Sequence, residues 1–151
     1  MAHPRAMKDI HALLVQAIVD RLIKEGYRIL GASGLRGYKE PTRTGRHAPD
    51  VKAYHPVTRR LAIGEAKRLE DIITPESHEQ FWDYTNAFHK KDDVPIPCYF
   101  SVARHGLLAF QHELSVANAD FRRDHVHILT VGIRDPSGDR LPVAARIRSV
   151  A

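Results

Sequence analysis

Three charged side chains between Arg46 and Lys67 are spaced in a way that could do chemistry on phosphates. Asp50 follows a proline, and Glu65 and Lys67 come about fifteen residues later in the tripeptide Glu-Ala-Lys. Because side chains alternate along a strand, Glu65 and Lys67 would share one face while Ala66 points away. Two carboxylates brought together form the hard-oxygen site that Mg²⁺ prefers. A lysine beside them can orient or deprotonate a water, or stabilise the charge that develops on a phosphate during attack.

The tripeptide alone is weak evidence for such a site. An acid followed two residues later by lysine is expected roughly once by chance in a chain of this composition. Asp50 and Lys52 are a second match, and the ordinary alternative is a surface ion pair, which contributes little. The pattern therefore gains value only from the elements around it. Small residues at Gly64 and Ala66 predict that a helix packs closely on the opposite face of that strand.

Hydrophobic periodicity predicts three helices and five strands in the order αβββαβαβ. Helical spacing runs from Ile10 to Leu22 and ends at Gly26, and Thr74 and Pro75 have the types expected at a helix start. Strands are predicted over residues 27–30, 50–54, 61–67, 94–103 and 125–133, with the later helices over 74–90 and 105–121. This order predicts an α/β fold, a central mixed sheet of about five strands flanked by helices, in one domain spanning residues 1–151.

The charge of the chain and one long connection indicate a polyanionic partner. The formal net charge is +5, and 16 arginines outnumber 7 lysines. Arginine matches phosphate with a two-pronged donor fork, so DNA is the expected partner, with RNA left open. Residues 31–49 are rich in glycine and basic side chains and are long for a connection inside a compact domain. The predicted nucleic-acid contacts are Arg36, Lys39, Arg43, Arg46, Arg59, Arg60 and Arg68.

Several classes of protein are disfavoured by composition. No apolar run approaches the roughly 18 residues that span a bilayer, so no membrane association is expected. The N-terminus lacks the pattern of a secretory signal, and the lone Cys98 is typical of a reducing cytoplasm. Two histidines, His125 and His127, share one strand face, but no cysteine pair or third spaced ligand accompanies them. A structural zinc site is therefore not favoured. The tail over residues 134–151 is turn-rich and basic.

Pro49-Asp50 followed by Glu65-Ala66-Lys67, within this order of elements, resembles the PD-(D/E)xK nuclease superfamily. The resemblance covers roughly residues 8–132 and implies the restriction-endonuclease-like core. It further implies that Asp50 and Glu65 hold Mg²⁺, with Mn²⁺ able to substitute. The Ala66 carbonyl would be a further ligand, and Lys67 would serve the attacking water. The expected activity is metal-dependent hydrolysis of DNA phosphodiester bonds, as an endo- or exodeoxyribonuclease acting in DNA repair or phage defence.

Two features of the helices bear on this resemblance. Gln80 and Tyr84 resemble the Gln-x-x-x-Tyr element of the RecB-like branch, where the pair supports the active site and the scissile strand. Many relatives, Holliday-junction resolvases among them, carry a glutamate on the first helix that points into the site. Here Gln16 stands near that place, with His11 one turn earlier. A glutamine can position a metal-bound water but adds no charge, which favours one Mg²⁺ over two.

Two alternatives to an active, self-sufficient nuclease remain open. One is a catalytically inactive nucleic-acid-binding module that keeps the fold, which the neutral Gln16 favours slightly. The other is a nuclease subunit that cuts only with a partner. Because 151 residues leave little room for a separate target-reading domain, a homodimer or a partner subunit is expected.

Overall fold

The structure is a computed structural model that describes residues 4–133, with side chains described from residue 10 onward. Its helices are α1 (Pro4–Lys24), α2 (Pro75–Thr85) and α3 (Leu107–Val116). Its strands are β1 (Arg28–Ala32), β2 (Val51–His55), β3 (Arg60–Lys67), β4 (Cys98–Ala103) and β5 (Val126–Val131). Short 3₁₀ turns, Leu69–Asp71 and Arg104–Gly106, follow β3 and β4. The fold class is α/β, as predicted.

The five strands form one mixed sheet in the order β1-β2-β3-β4-β5. Strands β1 and β2 pair antiparallel, as do β2 and β3, whereas β3, β4 and β5 run parallel to one another. The carboxyl ends of these three parallel strands therefore meet at one edge of the sheet, where β2 begins. Val51 pairs with Gly64, so Asp50, one residue before β2, lies opposite Glu65 at this edge. We call it the Asp50 edge below.

Helix α1 covers one face of the sheet through fully buried Leu14, Ile18 and Leu22. A methyl group added at Gly64 would lie 2.5 Å from Cγ2 of Ile18, well inside van der Waals contact. The prediction of close helix packing against this strand is confirmed, because only a residue without a side chain fits beneath α1 at Gly64.

Helices α2 and α3 cover the opposite face, so the sheet has helices on both sides, as predicted. Phe81 of α2, Phe100 of β4 and Phe110 of α3 are fully buried and pack edge to face, with ring centroids 5.3–5.7 Å apart. Because residues two apart on a strand share a face, Glu65 and Lys67 point toward α2 along with buried Ile63. The fold thus places the charged pair between the sheet and α2.

Several predicted boundaries were wrong by a few residues. Helix α2 ends at Thr85 rather than residue 90, because the Thr85 hydroxyl donates to the Phe81 carbonyl and Phe88 pairs with Pro95 in an isolated bridge. Strand β2 begins at Val51, which leaves Asp50 just outside it. The predicted basic tail, residues 134–151, lies outside the described residues.

Within residues 4–133, no helix combines the length and the apolar character that a membrane crossing requires.

Candidate metal centre

Asp50 and Glu65 converge at the Asp50 edge of the sheet. The Oδ2 atom of Asp50 accepts a hydrogen bond of 2.9 Å from the Ala66 backbone N–H. This bond replaces the strand pairing that β2 no longer provides beyond Val51, and it turns the Asp50 side chain toward β3. The Asp50 carboxylate then lies beside the backbone of the residue next to Glu65, and each carboxylate shifts the pKa of the other.

The Ala66 backbone has a defined direction at this point. In an extended strand, the N–H and C=O of one residue point to the same side. Because the Ala66 N–H points to Asp50, its carbonyl also opens toward the side of β3 where Asp50 lies. The structure therefore brings together all three predicted sources of oxygen ligands, two carboxylates and one backbone carbonyl.

The two carboxylates have opposite titration behaviour. Glu65 is 5% exposed, and burial together with the nearby Asp50 charge raises its pKa well above the usual range. Burial acts in the same direction on Asp50, but hydrogen bonds from His11 and Ala66 and the contact with Glu65 outweigh it and lower the Asp50 pKa. Two interacting carboxylates ionise in separate steps, so Glu65 keeps its proton to a higher pH than Asp50 does. Glu65 Oε2 is buried without a hydrogen-bond partner among the described residues.

Lys67 is held beside the carboxylates by helix α2. Its Nζ donates a 2.6 Å hydrogen bond to Oε1 of the buried Gln80 and lies 3.9 Å from Glu65 Oε1. The helix itself starts at Thr74, whose hydroxyl accepts from the Ser77 backbone N–H at 3.1 Å as an N-cap. The cap fixes where α2 begins, and thereby places Gln80 over Lys67.

Tyr84, one turn after Gln80, directs its hydroxyl at the same carboxylates. Burial, followed by the charges of Glu65 and Asp50, raises the pKa of Tyr84, so the phenol keeps its proton. The hydroxyl is buried and forms no hydrogen bond with any described residue, including the adjacent Glu65. The structure thus brings Gln80 and Tyr84 to the trio formed by Asp50, Glu65 and Lys67.

The contribution of the first helix differs from the prediction. Gln16 is exposed and donates to Asp20 on the outer surface of α1, so it does not lie at the site. The residue that reaches the site is His11, with Nε2 3.4 Å from Asp50 Oδ2. This contact raises the pKa of His11, chiefly through the hydrogen bond to Asp50. His11 lies three and four residues before the buried Leu14 and Val15, on the inner face of α1, whereas Gln16 is about 140° further around the helix and faces solvent.

His11, Glu65, Ala66 and Lys67 line a cleft of about 720 Å³ at the Asp50 edge. Its walls come from α1, the end of β3, the turn after β1 and the start of α2. The lining side chains that carry charge or a hydrogen-bonding group are His11, Glu65, Lys67, Arg68, Asp71, Thr74, Glu76 and Ser77. The cleft is partly open to solvent.

The seven predicted nucleic-acid contacts divide by position. Arg36, Lys39 and Arg43 lie in the loop after β1, at the Asp50 edge, and form no ion pair with any described residue. Arg68 lines the cleft but pairs with Glu70 and Asp71.

The predicted contacts Arg59 and Arg60 lie at the opposite end of the sheet. They belong to the β2–β3 hairpin, about 20 Å from the Asp50 edge along β3. Arg60 pairs there with Asp92 at 3.0 Å.

A second charged cluster joins the loop that carries Asp50 to helix α2. Arg46 forms a paired hydrogen bond with Asp83 at 3.0–3.1 Å and contacts Glu79 at 3.2 Å. His47 Nε2 lies 3.1 Å from both acids, although neither is in line with its ring N–H. Ligand atoms of His47, Glu79 and Asp83 are close enough to hold a cation, but Arg46 already contacts both acids and supplies one positive charge there. The four-residue spacing of Glu79 and Asp83 was the only sequence signal for this cluster.

No protein-family description matches the chain, and neither a curated protein nor a solved structure matches it.

Proposed function

We propose that the chain is a metal-dependent nuclease of the PD-(D/E)xK type, with a restriction-endonuclease-like core, that hydrolyses DNA phosphodiester bonds. The observation that carries the proposal is the convergence of Asp50 and Glu65 on one buried point, with Lys67 held beside them by Gln80. Asp50 comes from about fifteen residues before Glu65 and Lys67, and the three side chains together have the chemistry that such a reaction needs.

The donor set fits a divalent cation. Two acidic oxygens and a backbone carbonyl are ligands of the kind that Mg²⁺ and Mn²⁺ prefer. Glu65 Oε2 is buried without a partner, a costly arrangement that a bound cation would relieve. Asp50, Glu65 and Ala66 would hold the ion, and His11 would keep the Asp50 carboxylate in place. A bound Mg²⁺ would supply Lewis-acid stabilisation of charge on the phosphate.

The remaining residues act on water and on the phosphate. Lys67 orients the attacking water or stabilises the added negative charge, and Gln80 fixes the lysine by accepting its hydrogen bond. The water oxygen forms the new bond to phosphorus as the bond to the leaving sugar oxygen breaks. The Tyr84 hydroxyl is buried, is unpaired within the described residues and feels the charge of Glu65, so its role is to support that carboxylate rather than to contact the phosphate.

The charge around the cleft supports a nucleic acid as the substrate. Arg36, Lys39 and Arg43 project from the loop whose Gly34 lines the cleft wall, and none is engaged in an ion pair with a described residue. Basic side chains of this kind neutralise backbone phosphates and make binding depend on salt. DNA is the proposed substrate.

The test is cleavage of single-stranded, duplex and branched DNA by the purified chain with Mg²⁺ or Mn²⁺. We expect cutting with either metal, loss of cutting with EDTA, and loss in both Asp50→Asn and Lys67→Met. Glu70→Gln, an exposed acid three residues beyond Lys67, is the matched control and should cut normally. Salt-dependent DNA binding with no cutting by either metal would contradict the nuclease and support the inactive binding module.

A further inference from the structure

Two large aromatic side chains are exposed at the end of α2. Trp82 is 50% exposed and Phe88 is 46% exposed, whereas Phe81, Phe100 and Phe110 are fully buried. Trp82 and Phe88 line one shallow depression of about 340 Å³, which also includes Tyr84 and the buried Ile96. Large apolar groups left in water side by side commonly mark a binding surface.

The depression is next to the candidate metal centre. The Tyr84 ring lines it, while the Tyr84 hydroxyl faces Glu65. The two sites are therefore separated by about the length of one tyrosine side chain. Tyr84 is 1% exposed, so the contact between the two sites runs through this buried side chain.

The charges around the depression suit a polyanion. Lys90 lines it, Lys91 follows, and neither forms an ion pair with a described residue. The one acid in the lining, Asp83, is already neutralised by Arg46. Asp92 and Asp93 follow Lys91, and Arg60 pairs with Asp92, so a ligand in the depression meets aromatic faces together with one lysine of the lining, Lys90.

We propose that Trp82 and Phe88 form a stacking platform for the bases of single-stranded nucleic acid, with Lys90 contacting the backbone phosphate. Exposed aromatics beside basic residues are the recurring means by which proteins hold single strands, since every base offers a flat face. A duplex hides those faces in its own stack, so the platform selects unpaired strands. The inference rests on the proposed function, which it deepens by naming the substrate as single-stranded.

The chain carries its own probe for this proposal, because Trp82 is its single tryptophan. Binding is measured in EDTA, where no cutting occurs, with a fluorescently end-labelled oligothymidylate and with an abasic oligomer of the same length and charge. We expect oligothymidylate to quench Trp82 emission and the abasic oligomer to leave it nearly unchanged. In anisotropy titrations, Trp82→Ala should weaken oligothymidylate binding by about 5- to 150-fold.

Two variants serve as controls. Trp82→Phe should retain most of the affinity, because it keeps an aromatic face. Leu108→Ala removes an equally exposed apolar side chain, 55% exposed on α3, and should bind as the unsubstituted protein does. Trp82 is half in solvent, so its replacement should leave the fold intact, which circular dichroism checks.

Three results would overturn the platform. They are equal quenching by the abasic oligomer, unchanged affinity in Trp82→Ala, and loss of self-association in Trp82→Ala, which would make this face an interface between copies. The failure of the proposed function is seen separately. Trp82-dependent binding of oligothymidylate without metal-dependent cutting would leave the platform standing, whereas cutting of single strands with an unchanged KM in Trp82→Ala would remove the platform alone.

Discussion

Glu65→Gln should make the metal-free protein more stable at pH 8. Glu65 is almost fully buried beside Asp50, and its Oε2 atom has no hydrogen-bond partner among the described residues. Above its raised pKa, the unsubstituted protein must keep a second negative charge in this place. A glutamine removes that charge, keeps the shape, and can donate its amide N–H to Asp50.

The size and the sign of the effect follow from the same contacts. An unsatisfied buried acceptor costs about 1–3 kcal/mol, and more when it is charged, so the gain should be at least about 1 kcal/mol. For a protein of this length, each kcal/mol raises Tm by about 2–4 °C. Because folding raises the pKa of Glu65, the stability that its proton provides is complete below the unfolded-state pKa and is lost as pH rises through the folded-state pKa. The advantage of the variant should therefore grow from pH 5 to pH 8.

Magnesium should reverse the order. The unsubstituted protein should gain about 2.7 kcal/mol at Mg²⁺ one hundred times above its Kd, and Glu65→Gln should gain much less. The assay is urea unfolding followed by circular dichroism, at pH 5 and pH 8, with EDTA or with Mg²⁺. Glu70→Gln is the exposed control and should stay within about 0.5 kcal/mol throughout. Equal stability of Glu65→Gln and the unsubstituted protein at pH 8 in EDTA, or an equal response to Mg²⁺, would refute the reasoning.

Three further predictions concern other parts of the site and its support. Lys67→Met should lower the cleavage rate by about 10²- to 10³-fold, while calorimetry shows Mg²⁺ affinity within about threefold; a parallel loss of both would contradict its role. His11→Gln should weaken Mg²⁺ binding by about tenfold or more in the same calorimetry, since it frees the Asp50 carboxylate, and unchanged affinity would contradict that. Gly64→Ala should destabilise the fold by about 1–3 kcal/mol in urea unfolding, because the new methyl group meets Ile18. Adding Ile18→Val should recover part of that loss, and strict additivity of the two changes would show that they do not touch.

The sequence predicts the order of elements well because that order depends on short-range patterns. Apolar spacing in α1, the cap at Thr74 and the apolar strands each act over one or two turns of chain. The convergence of Asp50 with Glu65 needed only the hairpin, since antiparallel pairing places the residue before β2 opposite the end of β3. Gln80 was predictable for the same kind of reason, because a capped helix packed on the sheet has a definite inner face.

What the sequence did not predict depends on how elements are oriented in three dimensions. Helical spacing places His11, and not Gln16, on the inner face of α1, but it does not determine which residue of that face stands beside Asp50. The early end of α2 results from the bridge of Phe88 with Pro95, a tertiary contact that overrides helical propensity. Side-chain partners such as Asp83 for Arg46 are likewise set by packing. The predicted roles of the basic residues stay predictions.

The most direct test of the central claim is anomalous diffraction from crystals of the chain grown with Mn²⁺. The proposed site predicts a manganese peak bound by Asp50 and Glu65, beside the Ala66 carbonyl, and its loss in crystals of Asp50→Asn. A well-ordered Asp50 edge without a manganese peak, or manganese bound only at His47, Glu79 and Asp83, would contradict it.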